Sequence, residues 1–562
     1  MSYSNLRSLT RPFLFILFFM AFLISSCDQI TDATDDQQNG DGNTIEHSSS
    51  ITSDETWGKD KTHVISGFVK ITNATVTIEP GATIIFKSGG NLNIGSGGGL
   101  IADGTTATIT FTGETKQAGF WDYIEFDNDA VNANSIMKNC IIEYGGGYSS
   151  SGAMLYINNK ATITGCTIRN SDSYGVEIDD DAQPVFTGNT ITGNKLSPIK
   201  GDFKSIAYIG QGTYTGNGQD FIELSSGTIS ETVTILSQDI PYRLNGYNAI
   251  TNATVTIQPG TQFEMNSGAD LTIDTGGGLI ADGSSSAIIF TGSTKQAGFW
   301  DYIEFQSDAV NANCVLKNVT VEYGGGYSST GAMVYIDNSP TITECTFRYS
   351  DSHGLKIDDD ARPVLTDNTI TGNKLSPVYG YFKSIASIGA GDYSGNAQDY
   401  IDIQGGTLSE STTLLKLTVP YRLNGYNVVK NAVLTIQPGT VIEFNSGADL
   451  DINTNGGIIA QGTDTDSIKF TGAAKQKGYW DYIEIQDDAA TVNCIFNKCV
   501  IEYGGGYSSS GAMIYLNSSN ATLTNSRIQH SDSWGIIYRS GSTPDLSGNI
   551  YYDNTLGDVK EN

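Results

Sequence analysis

The chain repeats itself at a long interval, and that limits what it can fold into more than any other feature. ATVTIEPG (residues 74–81) returns as ATVTIQPG (253–260) and AVLTIQPG (432–439), with Pro80, Pro259 and Pro438 spaced 179 residues apart. KQAGFWDYIEF begins at Lys116 and Lys295, and KQKGYWDYIEI at Lys475. IEYGGGYSSSGAM (142–154) recurs as VEYGGGYSSTGAM (321–333) and again unchanged (501–513). The third copy lacks counterparts of the segments at 205–218 and 241–248. Inside each unit runs a shorter beat. KNCIIEY at Lys138 aligns with TGCTIRN at Thr164, 26 residues on, and TGNTITG at Thr187 follows 23 later. Short alternating runs with Gly, Asn or Ser at every break and a period in the mid-twenties predict a parallel β-solenoid. Each of its coils buries its inner face only by stacking on its neighbours. Seven coils per unit and nineteen overall, about 4.8 Å apart, predict a rod about 90 Å long. A β-sandwich array would need hairpin turns and repeats near 100 residues, and neither is present.

The fold class expected is therefore all-β: one long right-handed parallel β-helix built from a unit of about 179 residues repeated about 2.7 times. The boundaries are a leader at 1–26, an acidic flexible tether at 27–56, and units at 57–240, 241–419 and 420–562. Sixty-one acidic residues against thirty-one basic ones give a net charge of −30, which repels phosphate backbones and excludes nucleic acid as a partner. Neutral glycans, surface proteins and divalent cations remain open. The leader has Arg7 and Arg11, an apolar run from Phe13 to Ile24, and Ser25-Ser26-Cys27. A dozen apolar residues are too few to cross a bilayer. This pattern resembles the lipobox of bacterial lipoproteins, in which the cysteine, here Cys27, is lipidated. It implies a lipid-anchored protein of the cell envelope, at the outer membrane or cell surface. The acid-rich stretch after Cys27 resembles surface-export signals of some lineages, whereas Asp28 resembles an inner-membrane retention signal of others.

The repeated segments "PYRLNGYN…TVTIQPGT…GGGLIADG…IIFTG…GFWDYIEF…VTVEYGGG…ECTFRYSDSHGL" resemble right-handed parallel β-helix repeat proteins of bacterial envelopes, from about Trp57 to the C-terminus. That group includes adhesins, carbohydrate-active enzymes and many members of no assigned role, so the resemblance speaks for the fold.

Alternation assigns directions. Cys140 and Ile142 share an interior column with Cys166 and Ile168, so the six cysteines after Cys27 read as buried free thiols rather than disulfides. Glu143 is expected outside, over Arg169, and likewise Glu322 over Arg348 and Glu502 over Gln529, as a surface ladder.

Three sets of residues are candidates for ligand binding. Trp121-Asp122-Tyr123, with Tyr148, Asp172 and Tyr174, places rings beside carboxylates, as proteins that hold sugars commonly do. The same set recurs as Trp300, Asp301, Tyr302, Tyr327, Asp351 and His353, and as Trp480, Asp481, Tyr482, Tyr507, Asp532 and Trp534. Equally, such rings can simply cover glycine-rich turns. No cofactor is required, but calcium could bind Asp179-Asp180-Asp181 and Asp358-Asp359-Asp360, a run replaced by Arg539-Ser540-Gly541 in the third unit.

No catalytic residue is assigned. β-Helix pectinases of the hydrolase type share NTD, DD, GHG and RIK motifs. The nearest parallels here are Ser352-His353-Gly354 and Leu355-Lys356-Ile357 beside Asp358-Asp359, without an NTD. The sequence thus points to a non-catalytic rod presenting aromatic and acidic patches to a carbohydrate or another surface. The alternatives are a polysaccharide-cleaving hydrolase or lyase centred on the second unit, or a purely structural spacer.

Overall fold

A computed structural model describes residues 43–562 except 151, 330, 509, 510, 518 and 519. The leader, Cys27 and the first part of the tether lie outside the described residues. Every strand pair among those described is parallel, and the chain winds as a β-solenoid of about 22 turns with three short strands per coil. The local cause is period-two patterning. In Thr75–Ile78, for example, Val76 and Ile78 are buried and the two threonines face outward. Between strands, Asn73, Asn139, Asn252, Asn318 and Asn431 take positive φ, the left-handed corner that asparagine tolerates. Other asparagines turn inward and satisfy backbone groups. Asn189 accepts from the Cys166 N–H at 2.9 Å and donates to the Ile163 carbonyl at 2.9 Å, and Asn368 does the same for Cys345 and Ile342. One apolar core runs from Ile51 to Ile536, and it passes without a break through Ile240 and Val419, where the sequence copies join.

The tether needs correction from residue 44 onward. Thr44–His47 pairs in parallel with Thr62–Ile65, Ile51 bridges Ile71, and Glu55–Trp57 pairs with Thr75–Ile78. Few large apolar residues were needed, because the existing coil supplies the partner strands; Ile51 and Trp57 bury, and His47 stacks on Trp57 at 4.4 Å.

The unit does not contain a whole number of coils. From Cys140–Glu143 the chain steps to the next face at Ala153–Ile157, and seven strands further along that same sheet lies Val319–Glu322, the second-unit counterpart of Cys140–Glu143. From Val319–Glu322 it steps to Ala332–Ile336, and seven strands along that sheet lies Cys499–Glu502. Each unit therefore spans seven coils plus one face, a third of a coil more than expected, and homologous strands lie on three different faces. With the extra N-terminal coil, 22 turns give a rod about 105 Å long.

This offset splices unlike strands into one column. Glu177, Lys200, Glu223, Arg243, Glu264, Thr291, Glu322 and Arg348 follow one another in register across the first join. Lys200 pairs with Glu177 at 3.0 Å, Arg243 Nε with Glu264 at 3.0 Å and Arg348 with Glu322 at 2.7 Å. The six cysteines that follow Cys27 are free and buried, in accord with their interior column.

Candidate functional site: three tyrosine pads

Each pad grows from the turn after a Glu-ended strand. Tyr144, Tyr323 and Tyr503 adopt φ of 71°, 68° and 70°, an uncommon left-handed conformation for a bulky residue that bends the chain off the strand. The three glycines that follow are each required by a different neighbour. A Cβ on Gly145 would stand 2.7 Å from the Trp121 indole and 2.8 Å from Met154 Cγ. Gly146 has φ 81° and lies against Ser171 Oγ, and Gly147 lies against the Gly119 carbonyl. What the glycines make room for is Trp121, which is fully buried, stacks on Phe86 at 4.1 Å and donates its indole N–H to the Glu143 carbonyl at 2.9 Å. Trp300 and Trp480 make the same bond to Glu322 and Glu502, each at 2.9 Å. The expectation that these tryptophans face a ligand is therefore corrected: they are core residues that fill the space left by the glycines.

The pairing of Glu143 with Arg169 is as expected, with an ion pair of 2.7 Å, but the carboxylate is buried rather than exposed. It also accepts from Thr112 at 3.0 Å and Lys116 at 3.1 Å. Burial alone would raise its pKa, yet the hydrogen bonds from Arg169, Lys116 and Thr112 outweigh it and hold the carboxyl below the usual range. Glu322 accepts from Thr291 (2.8 Å) and Arg348 (2.7 Å). Glu502 accepts from Thr471 (3.0 Å) and the neutral Gln529 (2.6 Å).

Above this frame stand exposed rings. Tyr148, Tyr327 and Tyr507 are 67%, 47% and 68% exposed. Each meets the tyrosine of its WDY triplet. Tyr148 packs edge-on against Tyr123 (5.4 Å), Tyr507 edge-on against Tyr482 (5.4 Å), and Tyr327 tilted against Tyr302 (5.7 Å). A third ring, missed in the sequence, completes two pads: Tyr156 lies edge-on to Tyr123 at 5.4 Å and Tyr515 to Tyr482 at 5.6 Å. In the second unit the Tyr335 hydroxyl is instead drawn to Asp358 Oδ2 at 2.6 Å. Asp122, Asp301 and Asp481 lie beside the pads, half-buried, and burial raises all three carboxyls.

The rings of the SDSxG turns do not join the pads in the way expected; their contacts run to the coils that follow. Tyr174 is buried and donates to Glu223 at 2.8 Å. His353 Nδ1 lies 2.7 Å from Ser376 Oγ and the ring leans on Tyr379, while burial, and then Lys356, push its pKa down to about 4. Trp534 covers Gly557, where a Cβ would come 2.6 Å from the ring. Asp172 and Asp351 pair with Lys195 (3.0 Å) and Lys374 (2.9 Å); the matching position in the third unit is Thr555, leaving Asp532 without that lysine.

Behind each pad lies a polar column that sequence reading passed over. In the first unit it holds Asn91, Asn93 and Glu125, with Asn93 and Asn158 donating to Glu125 at 2.7 and 3.1 Å. In the second it holds Asp270, Thr272 and Glu304, with Asp270 pushed up to about 6, first by burial. In the third it holds Asp449, Asp451 and Glu484. Burial, and then the neighbouring Asp451, push Asp449 up to about 7, while Tyr426 donates to Asp451 at 2.6 Å. Asn91, Asn93, Asp270, Thr272, Asp449 and Asp451 are buried although alternation assigns them to the outward side.

The acidic runs proposed for calcium are engaged by lysines. Asp181 pairs with Lys204 at 3.0 Å, and Asp360 with Lys383. Among the described residues no three His, Cys, Asp or Glu side chains converge on a metal position.

A family model described as "Right handed beta helix region" matches residues 69–236. No curated protein matches the chain. Among solved structures, a crystal structure of a TibC-catalyzed hyper-glycosylated TibA55-350 fragment aligns with 76% of this chain and 98% of its own at 10% identity. Its TM-score of 0.15 is too low to bear on function. With its parallel coils, the chain is a right-handed β-helix.

Proposed function

We propose that this right-handed β-helix is a non-catalytic, lipid-anchored protein of the cell envelope whose tyrosine pads bind neutral glycan. The observation that carries the reading is the pairing of an exposed tyrosine with a second, partly exposed one in all three units, on a scaffold that buries every tryptophan of the same motif. Flat rings offer C–H faces of sugars a stacking surface, and carboxylates such as Asp122 accept from hydroxyls. The charge of −30 repels uronates and sulfated chains, which leaves uncharged sugars as the fitting class. The second-unit histidine on which a polysaccharide-cleaving alternative rests is half-buried and bonded to Ser376, so its ring nitrogen is already engaged. An array of neutral and acidic glycans tests the reading. Binding confined to neutral members, and lost in the triple variant Tyr148→Ala, Tyr327→Ala, Tyr507→Ala, is expected. Equal binding by that variant, or release of new reducing ends from a bound polysaccharide, would overturn it.

A further inference from the structure

The three pads do not look the same way. Tyr148 follows the strand Cys140–Glu143, but its partners Tyr123 and Tyr156 belong to the next face, which carries Ile124–Phe126 and Ala153–Ile157, so its pad lies on that face. Tyr327 sits between Val319–Glu322 and Ala332–Ile336, one face further round, and Tyr507 between Cys499–Glu502 and Ala512–Leu516, one face further again. Three such steps close a coil, so each pad is turned from the last by about a third of a turn and displaced along the rod by about 35 Å, seven and a third coils at 4.8 Å. A plane laid along the rod can touch one pad at a time. A stiff rod of this kind gains nothing from multivalency on a flat target, because avidity requires that the sites engage together.

We infer that the rod is a cross-linker: its three pads take three separate neutral glycan chains approaching from three sides and tie them into a network. The inference rests on the glycan reading above and adds its geometry. Two further features fit. The negative surface keeps copies of the rod apart, so a network must be held through the glycan rather than by contact between rods. The continuous core gives the rod no joint at 240 or 419 about which pads could swing into one plane.

The test uses the intact rod and a single-pad variant carrying Tyr327→Ala and Tyr507→Ala, with polystyrene beads coated in dextran, mannan or laminarin and flat sensors bearing the same glucan or mannan as short chains. The intact rod should agglutinate at least one kind of bead, and the single-pad variant should bind those beads without agglutinating them. On the flat sensor the intact rod should exceed the variant in affinity by no more than about threefold, the statistical factor for three independent sites. A hundredfold or greater advantage on the flat sensor would show that pads share a plane and overturn the inference while leaving glycan binding intact. So would bead binding by the intact rod without agglutination. Failure of both proteins to bind any bead or sensor would instead overturn the glycan reading itself, and the cross-linking with it.

Discussion

The first and third units follow the same backbone path, yet the polar column behind their pads differs. Where the first has Phe68, Asn91 and Asn93, the third has Tyr426, Asp449 and Asp451. The changes are concerted, since the Tyr426 hydroxyl that Phe68 lacks is the group that satisfies Asp451 at 2.6 Å. The frame under the pad differs as well: Glu143 is held by Arg169 and Lys116, Glu502 by the neutral Gln529. The pads themselves, Tyr123 with Tyr148 and Tyr482 with Tyr507, keep the same distance of 5.4 Å. Parallel pairing fixes the backbone regardless of what stands outside it, so charge can vary around a constant ring geometry.

The largest loss of stability should come from breaking the frame unequally. Glu143→Ala removes a buried carboxylate with two charged donors, Arg169 and Lys116, which then turn to solvent, and is expected to cost about 2 kcal/mol, whereas Glu502→Ala loses bonds to neutral partners and should cost about 1 kcal/mol. Hydrogen exchange on the amides of Cys140–Glu143 and Cys499–Glu502 reads the two separately, and equal costs would refute the difference. The low pKa of Glu143 also gives a direction with pH. Its contribution is present above the unfolded value and is lost as pH falls through the folded one.

Asp449 behaves in the opposite sense. Its carboxyl is raised from about 4 to about 7, so the folded state keeps a proton that the unfolded chain has lost, and stability declines as pH rises from 4 to 7. Asp449→Asn, which copies Asn91, should stabilise the third unit by about 2–4 kcal/mol at pH 8 and by almost nothing at pH 4. Asn91→Asp should impose a pH dependence of the same sign but smaller size on the first unit, where the neutral Asn93 replaces Asp451. A urea midpoint for Asp449→Asn that shifts equally at both pH values would show that burial of charge is not the cause.

The smallest effect on stability is expected at the pads. Tyr148→Ala and Tyr507→Ala each remove a mostly exposed ring and should shift stability by less than about 0.5 kcal/mol. A loss above 1 kcal/mol in thermal unfolding would make these tyrosines structural and remove the sharpest distinction between pad and frame.

Much of this was legible in the residues. Period two placed Cys140 and Ile142 inside and set Glu143 over Arg169, because a parallel register carries a one-coil offset directly into contact. Trp121 was not legible, because the strand that follows it begins only at Ile124, so alternation had no hold on the direction of the indole. The void left by Gly145 was the available clue. The bond from Lys116 to Glu143 was not legible either, because Lys116 lies in a loop between strands. Nor was the burial of Asp449, which alternation assigns to the outward side. The one-face offset could have been found by counting short runs per unit and dividing by three.

That offset bears on how such a rod can lengthen. A parallel ladder asks of a new strand only that it lie beside another strand, and it is indifferent to which of the three sides that is. A duplicated segment therefore need not hold whole coils to be accommodated; any whole number of strands will do, and the remainder is absorbed as rotation. Growth by copying is thus far less restricted in segment length here than in folds where each copy must close on itself, and a fourth copy would bring its ring pair back above the first.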